Sequence, residues 1–135
     1  MPNEFNTKII EEFRANGGNV GGPFEGVPIV LLTTTGAKSG NPHTTPLAYL
    51  PDGERMVVFG SRGGAPEHPQ WYRNLRANPD VTVEMGTESF PARAIITEGA
   101  ERDSLYARAA SLMPAFAEYQ QKTSRVIPVI ALERV

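Results

Sequence analysis

The stretch from Leu31 to Leu50, LLTTTGAKSGNPHTTPLAYL, constrains the fold more than any other part of the chain. Its two ends are apolar and strand-like, while its centre holds six threonines or serines, two glycines, Lys38 and His43. The residues from Val27 onward are β-branched or apolar, which is typical of a buried strand. The pattern therefore predicts a hairpin, with a strand over 27–35, the turn GAKSGNP and a returning strand over 43–50.

The segments on either side of this hairpin extend the pattern. The sequence PDGE at 51–54 is typical of a turn, and RMVVFGS after it predicts a third strand, so three strands in meander order imply an antiparallel sheet. An N-terminal amphipathic helix is predicted by apolar residues at helical spacing: Phe5, Ile9, Ile10 and Phe13.

The second half of the chain predicts shorter elements. In order, they are a short helix from Pro69 to Asn78, a hairpin around Gly86, helices over 101–112 and 114–123, and a strand over 126–135. The total is six to seven mostly antiparallel strands with an N-terminal helix and inserted helices. By the rules of layer packing this is an α+β domain or a small barrel, and the length of 135 residues suits a single domain over 1–135.

Composition excludes several classes of function. Cysteine is absent, which excludes thiol nucleophiles, disulfides and cysteine zinc sites. No apolar run approaches the ~18 residues of a membrane span, and the N-terminus has no apolar core like that of a signal peptide, so we expect a cytoplasmic protein. The net charge of −2 is too small to indicate nucleic-acid binding. The segment 36–76 is mildly basic, which is compatible with a small anionic ligand.

Familiar catalytic motifs fail on their spacing. The sequence GAKSG lacks the second glycine that precedes the lysine in a phosphate-binding loop. The two histidines, His43 and His68, stand 25 positions apart without a nearby pair of carboxylates, so we expect no metal site. No βαβ repeat is visible in the sequence, which argues against a doubly wound nucleotide-binding fold.

What remains is a set of hydrogen-bond donors without an obvious acid–base pair. They lie in GAKSGNPHTTP and in GSRGGAPEHPQWYRNL, where Gly63 and Gly64 permit close backbone approach to a ligand. A helix that starts near Pro69 favours an anion at its end, and Trp71 offers a flat surface. This set suits a flat, anionic cofactor that carries the reactive atom itself. A solvated Lys38 at a turn tip and a core position for Trp71 are equally compatible with these residues.

Three longer stretches resemble a known family. They are TTTGAKSGNPHTTPLAYL, SRGGAPEHPQWYRNLRANPDVTVEMG and ARAIITEGAERDSLYARAASLMPAFAEYQQKTSRVIPVIALERV. Together they resemble the nitroreductase family of deazaflavin-dependent oxidoreductases, which are actinobacterial proteins that use coenzyme F420. The resemblance covers nearly the whole chain. It implies a split β-barrel related to flavin-binding, pyridoxamine-oxidase-like proteins, and a reduced deazaflavin that delivers hydride to a quinone, a nitro compound or an activated alkene.

The resemblance also implies roles for individual residues. Lys38 and Ser39 match the turn that holds the coenzyme's phosphate and tail, and His43 stands where the family often carries a basic residue. The remaining matches to coenzyme-binding positions are Thr44, Thr45, Pro46 and Leu47 on a strand, Ser61, Arg62, Gly63 and Gly64 in a loop, Gln70, Trp71, Tyr72, Arg73 and Asn74 at a helix start, and Arg93.

The acceptor pocket departs from the family pattern. Where well-known members place several aromatic residues, this chain has Met113, Phe116 and Tyr119, which would share a face if they lay on one helix. Tyr119, through its hydroxyl, and Ser61 are the candidate catalytic residues. Activity on a particular nitroaromatic or quinone is therefore left open.

Other functions remain compatible with the sequence. They are an FMN-dependent reductase on the same barrel, a carrier of the coenzyme without turnover, and a plain interaction domain. The main interpretation implies a small-molecule acceptor and a dehydrogenase that supplies reduced coenzyme, and it allows a monomer or a homodimer. A quinone acceptor would place the protein peripherally at the membrane.

Overall fold

Helices and strands are interspersed along the chain. The computed structural model describes residues 4–21, 28–60, 68–123 and 126–135. The helices in this part are α1 (Glu4–Ala15), α2 (Gln70–Ala77), α3 (Gly99–Leu112) and α4 (Ala115–Lys122). The strands are β1 (Ile29–Thr35), β2 (Pro42–Ala48), β3 (Leu50–Asp52), β4 (Arg55–Phe59), β5 (Asp80–Met85), β6 (Glu88–Ile96) and β7 (Val129–Arg134).

Most of the predicted elements are confirmed. The N-terminal helix is α1, and the short helix begins after Pro69 and ends before Asn78, where Pro79 prevents its continuation. The hairpin around Gly86 is formed by β5 and β6, and Gly86 has a φ of +61°, which favours glycine. The predicted first strand begins at Ile29 in the structure, and Val27 lies outside the described residues.

The order of strands forces the sheet to curl. All neighbours pair antiparallel, and the order is β2-β1-β5-β6-β7-β4-β3. The two end strands, β2 and β3, are separated in sequence by Tyr49 alone. In a flat sheet six strand spacings would hold them about 29 Å apart, whereas two residue steps span at most about 7 Å. The sheet therefore bends until its two edges meet at Tyr49.

This closure corrects the predicted meander. The returning strand expected over 43–50 is two strands, because it pairs with β1 up to Ala48 and with β4 from Leu50 onward. Beyond β3, the neighbour of β4 is β7 from the C-terminus. Local turn signals correctly predict the hairpins, but they carry no information about this long-range pairing.

The inner face of the curled sheet forms the main core. Alternate residues of the strands point inward, as in β6, where Phe90, Ala92 and Ala94 are buried between exposed neighbours. Helix α2 packs into the same cluster through Trp71 and Leu75. Since α2 shares the barrel core, its position is fixed by the packing of the strands.

The outer face is covered by the other helices. Phe13 of α1 packs on Ile29 and Leu31, so β1 is buried on both of its faces. Helices α3 and α4 cover β4 and β7 through contacts that include Val57 and Val129. The near-continuous apolar run of β1 follows from this burial on both sides.

A group of ions ties the β3–β4 turn to α3. Asp52 accepts hydrogen bonds from Arg55 in the same turn and from Arg108 of α3, the latter at 2.9 Å. These two hydrogen bonds, from Arg55 and then from Arg108, lower the pKa of the Asp52 carboxyl below its ordinary value. The carboxylate thus links the end of the sheet to the helix that covers it.

The substitution Asp52→Asn tests this link. Exposed ion pairs contribute roughly 0.2–1 kcal/mol each, so the melting temperature at neutral pH should fall by about 2–5 °C. The pKa of Asp52 is lower in the folded state than in the unfolded state. Its contribution to the free energy of unfolding is therefore fully present above the unfolded-state pKa of about 3.9, and it is lost as the pH falls through the folded-state pKa. The difference from wild type should therefore close in acid, as thermal unfolding followed by circular dichroism would measure.

The matched control is Glu54→Gln, which makes the same change of charge at an exposed position in the same turn. It should leave the melting temperature within about 1 °C of wild type. A loss of equal size in the control, or a loss in Asp52→Asn that does not depend on pH, would contradict this assignment.

Candidate functional site

The turn between β1 and β2 is held by its own backbone. The amide of Gly36 donates to the carbonyl of Asn41 at 2.8 Å, and the amide of Gly40 donates to the carbonyl of Gly36 at 3.0 Å. Gly40 has a φ of +72°, a conformation that favours glycine. A Cβ on Gly36 would lie 2.5 Å from Ser39 Oγ and 2.9 Å from His43 Nε2, so those side chains fold back over the glycine. Lys38 and Ser39 are both exposed at the tip of the turn, and the Ser39 hydroxyl there accepts a hydrogen bond from the Asn41 amide at 3.2 Å.

Asn74 of α2 connects this turn to the barrel. Its Oδ1 accepts hydrogen bonds from the Ala37 amide at 3.1 Å and from Gln70 Nε2 at 3.0 Å. Its Nδ2 donates to Thr34 Oγ1 at 3.2 Å. The start of α2 and the tip of the hairpin are therefore held together by one side chain.

Strand β2 presents different side chains on its two faces. His43 lies opposite Thr34 and Thr45 lies opposite Leu32, so both share the inner face of the sheet. Thr44 lies on the other face, where its hydroxyl is 2.8 Å from the hydroxyl of Thr33. Because β2 ends the strand order, one row of its backbone amides and carbonyls faces away from β1. These groups can bind a ligand that lies along the strand.

A cavity of about 650 Å³ lies between α1, β2 and α2. This volume is in the range of small-molecule sites, which is about 300–1,000 Å³. Six of the predicted coenzyme-binding residues line it: His43, Thr44, Thr45, Gln70, Trp71 and Asn74. The hairpin and the helix start, which are far apart in sequence, thus meet at one site.

Sequence reasoning missed the α1 side of this cavity. Asn6, Thr7 and Ile10 also line it, together with Pro42 at the start of β2. The amphipathic pattern indicated a helix that packs on the core, and it carried no signal that one turn of the helix borders a ligand site.

Several predicted coenzyme residues lie elsewhere. Pro46 and Leu47 continue along β2, and Leu47 packs against the barrel core. Tyr72 is buried with its ring 4.9 Å from that of His68, and Arg73 is exposed on α2. The predicted loop residues Ser61, Arg62, Gly63 and Gly64 lie outside the described residues.

Arg93 lies apart from the cavity. It is exposed on β6, where its cross-strand neighbours are Asp80 of β5 and Glu133 of β7. Among the described residues, those that line the cavity do not include it. Arg93 thus shares one face of the sheet with these two acidic residues.

A second cavity, of about 640 Å³, is lined by residues of the α1–β1 connection, the β5–β6 turn and Tyr49. Its volume matches that of the first cavity, so size does not distinguish the two. None of the predicted site residues that the structure describes lines it. The cavity beside β2, which the predicted coenzyme-binding residues line, is therefore the candidate site.

The predicted acceptor residues do not share one helix. Met113 directly follows α3 and has an extended conformation, with φ −130° and ψ 91°, because the following Pro114 disfavours helical backbone before it. Phe116 and Tyr119 lie in α4, three residues apart. The condition for a face shared by all three residues is therefore not met by Met113, whereas Phe116 and Tyr119 do lie on one helix.

Phe116 and Tyr119 form an aromatic cluster above the end of β4. The ring of Phe116 is 5.1 Å from that of Phe59 and 5.8 Å from that of Tyr119, measured between centroids. The Tyr106 hydroxyl donates to the carbonyl of Phe116 and fixes α4 to α3. Phe116 and Tyr119 are only half-buried, so each retains surface that a planar ligand could contact.

The fold and the site together define a class of protein: a small barrel with a ligand cavity along its edge strand. A solved structure of a proposed pyridoxamine 5'-phosphate oxidase from Listeria innocua has this fold, with a TM-score of 0.55 at 16% identity over 97% of this chain and 94% of that one. The predicted α+β split β-barrel is confirmed.

The family follows from the sequence comparison. Residues 7–134 match the family model described as F420H(2)-dependent quinone reductase. The chain therefore belongs to the F420H2-dependent quinone reductase family, and the predicted membership of the deazaflavin-dependent oxidoreductases is confirmed. A curated F420H2-dependent quinone reductase of Mycobacterium tuberculosis is 39% identical over 90% of this chain and 85% of its own length.

Solved structures are similarly close. An F420H2-dependent reductase, FDR-A, has a TM-score of 0.72 at 45% identity over 78% of this chain and 94% of its own. A structure described as a domain-swapped dimer has a TM-score of 0.74 at 40% identity, covering 96% and 95% of the two chains. Within the part of the chain that the structure describes, no helix is long and apolar enough to cross a membrane.

Proposed function

We propose that this protein binds reduced coenzyme F420 in the cavity beside β2 and passes a hydride from it to a quinone. The observation that carries the proposal is the meeting of the β2 threonines with Gln70 and Trp71 at one cavity of about 650 Å³. These residues belong to the two segments by which the chain most resembles deazaflavin-dependent enzymes. Nitro compounds and activated alkenes are further acceptors of the same electron-poor class.

The residues of the cavity fit this coenzyme. The edge of β2 and the hydroxyl of Thr45 supply donors and acceptors for a polar ring edge, and Trp71 adds an apolar surface. Lys38 and Ser39, at the exposed tip of the adjacent turn, suit a phosphate and an acidic tail. Reduced F420, when bound, supplies the hydride, so the chain itself needs no redox group.

The chain contributes position and a proton source. A quinone that accepts a hydride also needs one proton to become a hydroquinone. We assign the proton to the Tyr119 hydroxyl, which belongs to the half-buried aromatic cluster at the end of β4. Phe59, at the end of β4, packs on the Phe116 ring beside Tyr119, and α2 is the next element of the chain after β4 and residues 61–67. Ser61, within that segment, is the second candidate to contact the acceptor.

We leave Arg93 out of this site, because it is not among the described residues that line the cavity. For the wider setting we propose that residues 1–135 act as one unit in the cytoplasm, peripherally at the membrane when the quinone is lipid-soluble. A separate F420-reducing dehydrogenase would supply the reduced coenzyme. The similar domain-swapped dimer supports a homodimer as an alternative to a monomer.

The choice of hydride donor is tested by turnover. Reduced F420 with a soluble quinone such as menadione should be oxidised when the protein is added, and oxidised F420 should bind in a fluorescence titration. NADPH with the same quinone should give no turnover, because the chain lacks the nicotinamide-binding fingerprint. Robust oxidation of NADPH without F420 would overturn the assignment, and a flavin absorbance band in the purified protein would favour the FMN enzyme instead. Binding of F420 without reduction of a broad panel of acceptors would favour the carrier.

Lys38→Ala tests the grip on the anionic part of the coenzyme. Loss of a charge-assisted hydrogen bond costs about 1.5–3 kcal/mol, so the affinity for F420 should fall roughly ten- to a hundredfold. The melting temperature should stay near that of wild type, because Lys38 is exposed at a turn tip. Lys122→Ala, the same change at an exposed position on α4, is the control and should leave the affinity unchanged. Equal affinities in all three proteins would identify Lys38 as a solvated lysine.

Tyr119→Phe tests the proton assignment, because it keeps the ring and removes the hydroxyl. If that hydroxyl orients or protonates the acceptor, turnover with reduced F420 should fall about tenfold or more while the coenzyme affinity stays level. Tyr49→Phe makes the same change at a half-buried tyrosine that lines the second cavity, and should leave turnover unchanged. Equal turnover in Tyr119→Phe and wild type across several quinones would leave Tyr119 as a packing residue.

A further inference from the structure

We infer that Asn74 is a positioning residue, whose buried carboxamide fixes the β1–β2 turn and thereby holds Lys38 and Ser39 where the coenzyme binds. The inference rests on the proposed function for its ligand and on the geometry of Asn74 for the rest. It differs from the role that the resemblance implies, in which Asn74 would contact the coenzyme directly.

The hydrogen-bonding capacity of Asn74 is almost fully used inside the protein. Only 1% of its surface is exposed, although it borders the cavity. A carboxamide oxygen has two lone pairs, and those of Asn74 are taken by the Ala37 amide and by Gln70 Nε2. One hydrogen of its amide group is donated to Thr34 Oγ1. An oxygen so occupied has no acceptor site left for a ligand.

The other bonds of the turn join turn residues to each other. The Gly36–Asn41 and Gly40–Gly36 backbone bonds and the bond from the Asn41 amide to Ser39 Oγ all close within residues 36–41. They set the shape of the turn, which continues from the β1–β2 ladder at Thr35 and Pro42, but they do not join it to α2. The bond from Ala37 to Asn74 connects the turn to α2.

Helix α2 can act as a fixed reference because it shares the core of the barrel. Trp71 and Leu75, on either side of Asn74 in sequence, are 7% and 1% exposed and belong to the same apolar cluster as the inner strand residues. Thr34, the third partner, is itself 1% exposed on β1. The carboxamide thus ties the exposed tip to two buried elements, so that less conformational freedom is lost when a ligand binds there.

The first experiment needs no ligand. In the Asn74→Leu variant, the Ala37 amide loses its acceptor, and its hydrogen exchange measured by NMR should accelerate about tenfold or more. Asn78→Leu places the same substitution at an exposed position at the end of α2 and should leave the exchange of Ala37 unchanged. If Asn74→Leu does not fold, Thr34→Val takes its place, because it removes the partner of Asn74 Nδ2 and should accelerate the same amide by about threefold or more. An unchanged exchange rate at Ala37 overturns the inference.

The second experiment asks whether the effect passes through Lys38. Asn74→Leu should lower the affinity for oxidised F420 about tenfold in the wild-type background, and by less than about twofold in the Lys38→Ala background, since the positioned charge is already gone. A full tenfold loss in both backgrounds would mean that Asn74 contacts the coenzyme itself, and would overturn the positioning role.

The two measurements separate this inference from the proposed function. If wild-type protein fails to bind F420, the proposed function fails and the ligand part of the inference fails with it. The exchange of Ala37 still decides whether Asn74 holds the turn. If F420 binds and Ala37 exchanges equally in wild type and variant, the proposed function stands and the positioning role is wrong.

Discussion

The closure of the sheet at Tyr49 is the constraint on which the rest of the structure depends. One residue joins the two end strands of a seven-stranded order, so the sheet cannot be flat. Curling gives the sheet an inside, which apolar side chains fill, and an outside, which the helices cover in part. At Tyr49 the chain changes its partner strand: β2 pairs with β1, whereas β3 pairs with β4. The free edge of β2 that borders the cavity is a direct result of this change of partner.

The site follows from the same geometry, because the cavity forms where the barrel is locally open. Helix α2 packs into the barrel core with Trp71 and Leu75, and its polar residues Gln70 and Asn74 face the β1–β2 hairpin. Helix α1 packs on the outside of β1 through Phe13, and its first turns border the cavity from the other side. A ligand in this cavity would therefore contact one strand and two helices whose positions are all set by apolar packing.

Local signals predicted most elements, and six of the ten described residues that line the cavity are among the predicted coenzyme contacts. Apolar periodicity predicted α1, and Pro69 and Asn78 marked the two ends of α2. The threonine-rich hairpin was predicted with the correct turn and with the correct pairing of its two strands. The division into β2 and β3, and the pairing of β4 with β7, depend on contacts between distant segments that no local pattern encodes. Met113 lies between α3 and α4, as the predicted helix bounds have it, so it does not share a helical face with Phe116 and Tyr119. The α1 side of the cavity was missed because Asn6 and Thr7 resemble ordinary solvated residues of an amphipathic helix.

Two polar residues of different kinds are associated with the β1–β2 turn: Asn74 is neutral and buried, and Lys38 is charged and exposed. A charged residue in place of Asn74 would have to be desolvated at a position that is 1% exposed, which costs several kcal/mol unless the charge is fully paired. The neutral carboxamide avoids that cost, and three polar partners satisfy it. Lys38 instead is exposed at the tip of the turn, so its charge stays hydrated in the free protein and carries no cost of desolvation. The proposed roles of the two residues follow from this difference, because a buried residue that positions the turn is least costly when it is neutral, whereas a residue proposed to bind an anion can carry its charge where water solvates it until the ligand arrives.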